Sequence, residues 1–341
     1  MTSPSGGQPG SGVVRIGLLG AGRIGRIHGG NVAAHPRARL AAIADASAAA
    51  AESLAAATGS HVRDPDSIVD DPDIDAVLIC TPTDLHASLI ERAARAGKAA
   101  FCEKPVDLDA GRIRQCLKVV DETGAKLMIG FNRRFDPSFS ALHRRLTAGE
   151  VGVVEIVTIL SRDPAPPPPE HAAWSGGLFR DMMIHDLDMA RFLLGEEPVE
   201  VHAVGSSLVD PRIGEAGDVD TAAVLLKTAS GRIAQISNSR RATYGYDQRI
   251  EVHGAKGLLA AGNRHATTVT FADARGYASD PALPFFLERY AEAYRAELDA
   301  FVAGVLDGAT LSPSGEDGLR AQILADAATE AARTGEAVRV E

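Results

Sequence analysis

The stretch from Val13 to Gly25 constrains the fold more than any other part of the chain. Val13–Leu19 is an apolar run interrupted only by Arg15 and Gly17. It passes directly into Gly20-Ala21-Gly22-Arg23-Ile24-Gly25, and an amphipathic segment follows to about His35. A GxGxxG string between a strand and a helix has a specific physical use. Gly20 permits a tight turn, Gly22 lets backbone approach a pyrophosphate, and Gly25 lets the helix pack closely on the sheet, while the helix N-terminus attracts the anion. Arg23 and Ile24, in the same loop, are expected beside the bound dinucleotide. The expected fold is therefore α/β, beginning with a doubly wound parallel sheet of the Rossmann type.

The following residues keep that grammar. Arg39–Ala44 reads as a strand closing on Asp45, Ala48–Ala57 as a helix and Ala76–Cys80 as a buried strand. Asp84–Ala96 reads as a helix stopped by Gly97. Ala99–Cys102 and Ala125–Phe131 are further strands, separated by a helix over Asp109–Thr123. Short apolar strands alternating with helices make a parallel sheet.

After Arg134 the pattern changes. A helix over Phe139–Leu146 precedes a strand over Val153–Leu160, and the proline run 164–169 can only be a surface loop. A helix is expected over Phe179–Leu194. Strand-like runs then follow one another at Val199–Leu208, Ala222–Lys227, Arg232–Ser239, Gln248–His253 and Thr267–Phe271. Strands without intervening helices argue for one open-faced, mostly antiparallel sheet, which the amphipathic stretches Phe286–Val305 and Glu316–Arg333 would cover. The expected organisation is a disordered tail over 1–12, a dinucleotide-binding domain over 13–134, and an α+β domain for substrate binding and oligomerisation over 135–341.

Composition excludes several partners. Asp and Glu number 45 against 35 Lys and Arg, a net charge of -10, and the basic residues form no cluster, so nucleic acid is not an expected ligand. No apolar run approaches the roughly 20 residues needed to span a bilayer, and the first twelve residues lack the pattern of a signal peptide. A cytoplasmic location follows as the expectation. Cys80, Cys102 and Cys116 are too few and too far apart for a disulfide framework or a zinc knuckle, and read as buried thiols.

The motifs that carry chemistry sit at strand ends. Asp45, about 25 residues beyond Gly20, is placed to accept hydrogen bonds from the adenosine ribose. An acid there repels a 2′-phosphate and no arginine follows closely, so NAD is favoured over NADP; an N-cap role for the next helix is the plainer alternative. Thr81 and Pro82 end the fourth strand at the edge where such sheets bind ligands. His86 lies just beyond, as a cofactor contact or as a cap or surface histidine. Glu103-Lys104-Pro105 ends the fifth strand, and a proline there holds Lys104 extended in the same crevice. Arginine far outnumbers lysine in this chain, so retention of Lys104 suggests an ammonium that arginine does not replace; a surface salt bridge is the alternative. Asp181 and His185 are four residues apart on the expected helix, which would bring carboxylate and imidazole to one face as a proton-relay dyad or an ordinary ion pair. The spacing also suits zinc, but no third ligand is evident and no metal is expected.

These strings together resemble the family of glucose-fructose oxidoreductase, inositol dehydrogenase and rhizopine-catabolism oxidoreductases. The resemblance runs from Val13 onward through GAGRIG, TPT with His86, EKP at 103–105, FNRRFD at 131–136 and DMMIHDLDMARFL at 181–193. The last two look most like the inositol 2-dehydrogenase branch. The resemblance implies NAD as cofactor, a homotetramer built through the open sheets, and Lys104, Asp181 and His185 as the catalytic set. It also implies that Asn132 and Arg133 line the substrate, with Tyr244 as a further hydroxyl contact. The expected reaction is NAD-dependent oxidation of a secondary hydroxyl on a cyclic polyol, myo-inositol first. Another inositol isomer, an aldose, or a dinucleotide-binding regulator without turnover are the alternatives. The proline run at 164–169 departs from the family pattern and bears on substrate identity.

Overall fold

A computed structural model of the chain describes residues 12–340. All but Gly12 of the expected tail lies outside the described residues. The chain divides into two compact units: residues up to Gly130 together with Tyr294–Leu319, and Phe131–Ala293 together with the residues from Arg320 onward.

The first unit contains β1 (Val14–Leu19), α1 (Arg23–Ala34), β2 (Ala38–Ala44), α2 (Ala48–Thr58), β3 (His61–Val62), α3 (Pro65–Val69), β4 (Ala76–Ile79), α4 (His86–Arg95), β5 (Ala99–Cys102), α5 (Ala110–Thr123) and β6 (Leu127–Ile129). Its sheet has the order β3-β2-β1-β4-β5-β6, parallel throughout. This is the doubly wound arrangement, and the order reverses between β1 and β4, where open sheets of this kind take ligands. Local chemistry sets the helix ends. Ser47 and Asp109 cap α2 and α5 by accepting backbone N–H bonds, and Gly59 and Gly124 stop the same helices at φ 68° and 65°. The central strands are buried on both faces, which is why β4 and β5 read as unbroken apolar runs.

The second unit opens with α6 (Pro137–Thr147) and β7 (Val154–Arg162). Helices α7 (Ala172–Ser175), α8 (Gly177–Asp181) and α9 (Ile184–Leu194) follow, then β8 (Pro198–Ser206), α10 (Pro211–Glu215), β9 (Thr221–Thr228), β10 (Ile233–Ser239), β11 (Asp247–Gly254) and β12 (Gly257–Ala261). A hairpin, β13 (Thr270–Asp273) with β14 (Gly276–Ser279), precedes α11 (Phe286–Arg289), α12 (Ala291–Asp307), α13 (Gly315–Thr334) and β15 (Val338–Arg339). The large sheet runs β12-β11-β7-β10-β9-β8-β15, with β7 and β10 its single parallel pair. Helix α9 packs on β7 and β10. Alternation along β9 buries Ala222, Val224 and Leu226 and leaves Leu225 exposed.

Two expectations about helices are corrected. The single helix over Phe179–Leu194 is two helices, because Met182 and Met183 interrupt it and both their amides bond the Leu178 carbonyl. The helices near the C-terminus do not both serve the second unit: Tyr294–Leu319, which holds most of α12, belongs to the first. Leu298, Phe301 and Val302 are buried there, and helical periodicity predicts that such a face is covered without saying by what. Cys102 and Cys116 are buried as expected; Cys80 is partly exposed, and all three are free thiols.

Candidate active site

In the first unit the ligand edge is built from the loops after β1, β2, β4 and β5. Gly20 turns at φ 99°, and a Cβ there would collide with the Cys80 backbone. A Cβ on Gly25 would strike the Gly20 carbonyl, so neither position accepts a side chain. Gly22 differs: a Cβ there would meet nothing within 4 Å. Gly22 is also the N-cap of α1, with no side-chain cap and no acid in the first turn, so the positive end of the helix has no counter-charge from its own first turn. Arg23 and Ile24 form the first turn behind it. Asp45 carries the loop: its Oδ2 accepts the Ala21 N–H at 2.6 Å and its Oδ1 accepts the Ser47 N–H at 2.7 Å. Ser47, not Asp45, caps α2. Each carboxylate oxygen of Asp45 keeps a second lone pair for a ribose hydroxyl.

At the end of β4, the buried Thr81 Oγ1 has no partner among the described residues, a hydroxyl left over at the ligand edge. Pro82 precedes a short 3-10 turn, Thr83–Leu85, which takes the first residues of the expected helix. His86 is not a surface residue. It is 2% exposed, with Nδ1 2.7 Å from the Pro105 carbonyl and Nε2 2.8 Å from the Thr81 carbonyl, so it ties together the loops after β4 and β5. Glu103 Oε1 lies 2.7 Å from His28 Nε2, and Lys104 follows it at the edge through a cis bond to Pro105. Open space at Gly22, an uncapped helix N-terminus and an orphan hydroxyl fit a dinucleotide in this crevice.

In the second unit, Gly176 and Gly177 both take left-handed backbone, φ 81° and 82°, and launch α8, whose Leu178 N–H is held by Asp218 at 2.9 Å. Asp181 ends that helix. Its Oδ2 is 3.1 Å from His171 Nε2 and 3.4 Å from Arg240 Nη2. Arg240 is buried and also faces Asp163 at 3.6 Å. Burial pushes the Asp163 carboxyl up to about 6, against the lowering pull of Arg240 and Arg133. His185 lies in the first turn of α9, its ring edge-on to Phe131 at 6.1 Å.

His171 and Arg240 were not legible as site residues. His171 follows the proline run, which ends in a 3-10 turn over Pro169–His171 and delivers the imidazole to Asp181. That gives the atypical loop a physical task.

Asn132 and Arg133 lie in a 3-10 turn over Asn132–Phe135 and both are buried. The Asn132 amide oxygen has no partner among the described residues. Arg133 instead spends its guanidinium on Asp186 and on Ser161 Oγ at 3.0 Å. Asn238 reaches the same Asp186 at 2.9 Å, and Arg134 holds Asp188 through two bonds of 2.8 and 2.5 Å. A helix buried nearly all round cannot keep two bare carboxylates, so the RR of FNRRFD meets the D-x-D of α9. Removing one partner of such a buried pair costs about 3–5 kcal/mol, because the other charge is stranded. Tyr244 is about half exposed and donates its hydroxyl to Asp247 at 2.8 Å.

Comparison with known proteins fits this arrangement. The model described as an oxidoreductase family with an NAD-binding Rossmann fold matches residues 14–131, and the GFO/IDH/MocA C-terminal domain matches residues 139–260. The chain is 60% identical over 315 residues to the inositol 2-dehydrogenase of Rhizobium meliloti (strain 1021), covering 92% of this chain and 96% of that one. The chain belongs to the GFO/IDH/MocA oxidoreductase family. Its fold superposes on the myo-inositol dehydrogenase of Corynebacterium glutamicum with a TM-score of 0.92, at 46% identity over 96% of this chain and 99% of that one. It superposes on the scyllo-inositol dehydrogenase of Lactobacillus casei with bound NAD(H) and scyllo-inositol at a TM-score of 0.88, 33% identity, 96% and 99% coverage. The first unit is the NAD-binding domain of this oxidoreductase.

The open space at Gly22 makes a sharp expectation. Gly22→Val should still fold, with Tm lowered by only a few degrees, because its Cβ meets no protein atom and the cost is that of a poorer N-cap residue. It should nonetheless bind NAD at least about tenfold more weakly, the equivalent of losing one hydrogen bond to a charged group. Fluorescence titration with NAD and a thermal melt check both halves. Unchanged affinity would remove the pyrophosphate from this loop.

Proposed function

We propose that the chain is an NAD-dependent dehydrogenase that oxidises a secondary hydroxyl of inositol, with myo-inositol to 2-keto-myo-inositol as the leading reaction. The observation that carries this is the 60% identity, over most of both chains, to an inositol 2-dehydrogenase, together with an intact Lys104, Asp181 and His185.

In this reading bound NAD supplies the hydride acceptor, and the chain's own groups manage the proton and the substrate. His185 takes the hydroxyl proton as general base. Asp181, held by His171 and Arg240, orients the base and stabilises its charged form. Lys104 donates a hydrogen bond to the carbinol oxygen as negative charge develops there. Gly20, Gly22, Arg23, Ile24, Gly25, Thr81, Pro82, Glu103 and Lys104 form the cofactor side, and Asp45 takes the ribose. His86 acts on the cofactor through the two loops it joins. Asn132 and Tyr244 are substrate contacts, and Arg133 supports Asn132 from within the core.

The same reading includes a homotetramer built through the second sheet. Val204, Leu225 and Leu258 are exposed on strands whose opposite face is buried, as an apolar sheet face awaiting another copy would be. It also includes a cytoplasmic location; among the described residues no helix is long and apolar enough to cross a membrane. Light scattering on the purified protein tests the tetramer.

Absorbance of NADH with a panel of inositol isomers and aldoses tests the reaction. The highest kcat/KM should fall on an inositol, and a clear preference for an aldose or a flat response would overturn the assignment. The cofactor half has its own test. With Asp45 ending β2, NAD should be used better than NADP by kcat/KM, and equal use of NADP would mean that this carboxylate does not meet the ribose.

A further inference from the structure

The first unit brings three titratable side chains together beside Lys104: His28 and Glu297 are buried, and Glu103 is only slightly exposed. His28, on the buried face of α1, packs edge-on against Phe101 of β5 at 5.0 Å and Tyr294 of α12 at 5.7 Å. Its Nε2 is 2.7 Å from Glu103 Oε1 and 3.9 Å from Glu297 Oε1. Glu297 is 0% exposed, and neither of its oxygens has a hydrogen-bond partner among the described residues. Gly130 leaves room for the arrangement, since a Cβ there would sit 3.1 Å from the Glu103 carboxyl.

One imidazole can neutralise one carboxylate, not two. Among the described residues neither glutamate pairs with a lysine or arginine, so a second buried negative charge would be uncompensated and costly. The other titratable neighbours, Tyr294 and Cys80, offer no positive charge; desolvation of the sulfur and these two carboxylates push the Cys80 thiol well up. Burial, reinforced by Glu103, likewise drives the Glu297 carboxyl well above the ordinary range.

We propose that Glu297 is held as a neutral carboxylic acid beside the Glu103–His28 pair, and that this cluster positions the strand end carrying Lys104. Lys104 is bracketed. On one side the Glu103 N–H bonds the Ile79 carbonyl at 3.0 Å, while its carboxylate is held by His28. On the other, the Pro105 carbonyl is held by His86. The triad thus fixes the residue before the ammonium as His86 fixes the residue after it. These are positioning residues; their effect on turnover rests on the role proposed above for Lys104.

The proton has a thermodynamic signature independent of catalysis. A carboxyl raised in the folded state keeps its proton where the unfolded chain has lost it. Stability therefore falls as pH rises above the ordinary glutamate range, until the folded group ionises. Glu297→Gln, a neutral isostere, should flatten that slope and raise Tm at pH 8 by about 2 °C or more. Infrared spectra of the full-length protein in D2O at the same pH, where Asp163 is ionised, should show a protonated-carboxyl stretch that this variant lacks.

For positioning, His28→Phe keeps the ring packing and removes the nitrogens. It should lower kcat about tenfold and alter its pH profile, with the Kd for NAD within about twofold, since general acid–base and hydrogen-bond geometry tolerate little displacement. Glu297→Ala should lower kcat similarly, and Glu297→Gln should recover most of that loss.

Absence of the carboxyl band, or a Glu297→Gln protein less stable than its parent at pH 8, overturns the neutral Glu297. So does stoichiometric divalent metal in the purified enzyme that Glu297→Gln loses, because three such donors also suit a cation. An unaltered kcat and pH profile in His28→Phe overturns the positioning role. If Lys104→Arg proves harmless, the assignment of Lys104 fails, while the infrared and melting results still decide the proton.

Discussion

His185→Ala is expected to lower kcat/KM for inositol oxidation by about 10² to 10⁴, the usual worth of a positioned general base. Oxidation of an alcohol releases a proton, so the imidazole must enter the cycle neutral and leave it charged. An ordinary histidine titrates at about 6.5, and the wild-type rate should therefore climb with pH through the neutral range and then level. In the proposed dyad Asp181 would favour the charged ring. Asp181→Asn should lower the rate and move the rising limb to lower pH, because the ring then gives up its proton more readily. The surroundings sharpen this expectation: Asp181 Oδ2 is shared by His171 and Arg240, so an amide at that position turns charge-assisted contacts into neutral ones beside a buried cation. pH–rate profiles of both variants with NAD saturating check it. A His185→Ala enzyme with the parent's rate and profile would leave Lys104 as the proton acceptor.

Lys104→Arg should lose most of the activity, on the order of 10²-fold in kcat, while retaining charge and fold. An ammonium is a compact donor at the end of a flexible stem, whereas a guanidinium is a wide planar fork that needs more room and presents its donors in a fixed pattern. The room is limited, because the residues on both sides of Lys104 are tied down, Glu103 to His28 and Pro105 to His86. Steady-state kinetics with circular dichroism separates chemistry from folding. Near-parental kcat in the variant would make the lysine a structural residue.

The first unit was legible because its chemistry is local. Gly20 and Gly25 are dictated by backbone that arrives within a few residues or from the adjacent strand, and the apolar runs of β4 and β5 need no knowledge of what covers them. What was not legible depends on distant partners. The amphipathic stretch Phe286–Val305 was expected to cover the second sheet, and nothing local showed that its later part, with Leu298 and Phe301 buried, belongs to the first unit. The pairing of Arg133 with Asp186 and Arg134 with Asp188 spans more than 50 residues, although two adjacent arginines and two alternating aspartates were a signal. His86 stayed open between a cofactor contact and a cap or surface group because its two carbonyl partners come from different strand ends. The helix break at Met182–Met183 has no proline or glycine to announce it; two amides converging on the Leu178 carbonyl make it. His171 was hidden by the proline run, whose course no local rule predicts.

The central claim is that hydride leaves a ring carbon of inositol for NAD. Incubation of the enzyme with NAD and myo-inositol deuterated at C2, followed by mass spectrometry of the nucleotide, tests it most directly. The account predicts NADH heavier by one deuterium and a ketone at C2, with turnover slowed or unchanged relative to the unlabelled substrate. NADH formed without deuterium, or no NADH with any inositol isomer, would contradict it.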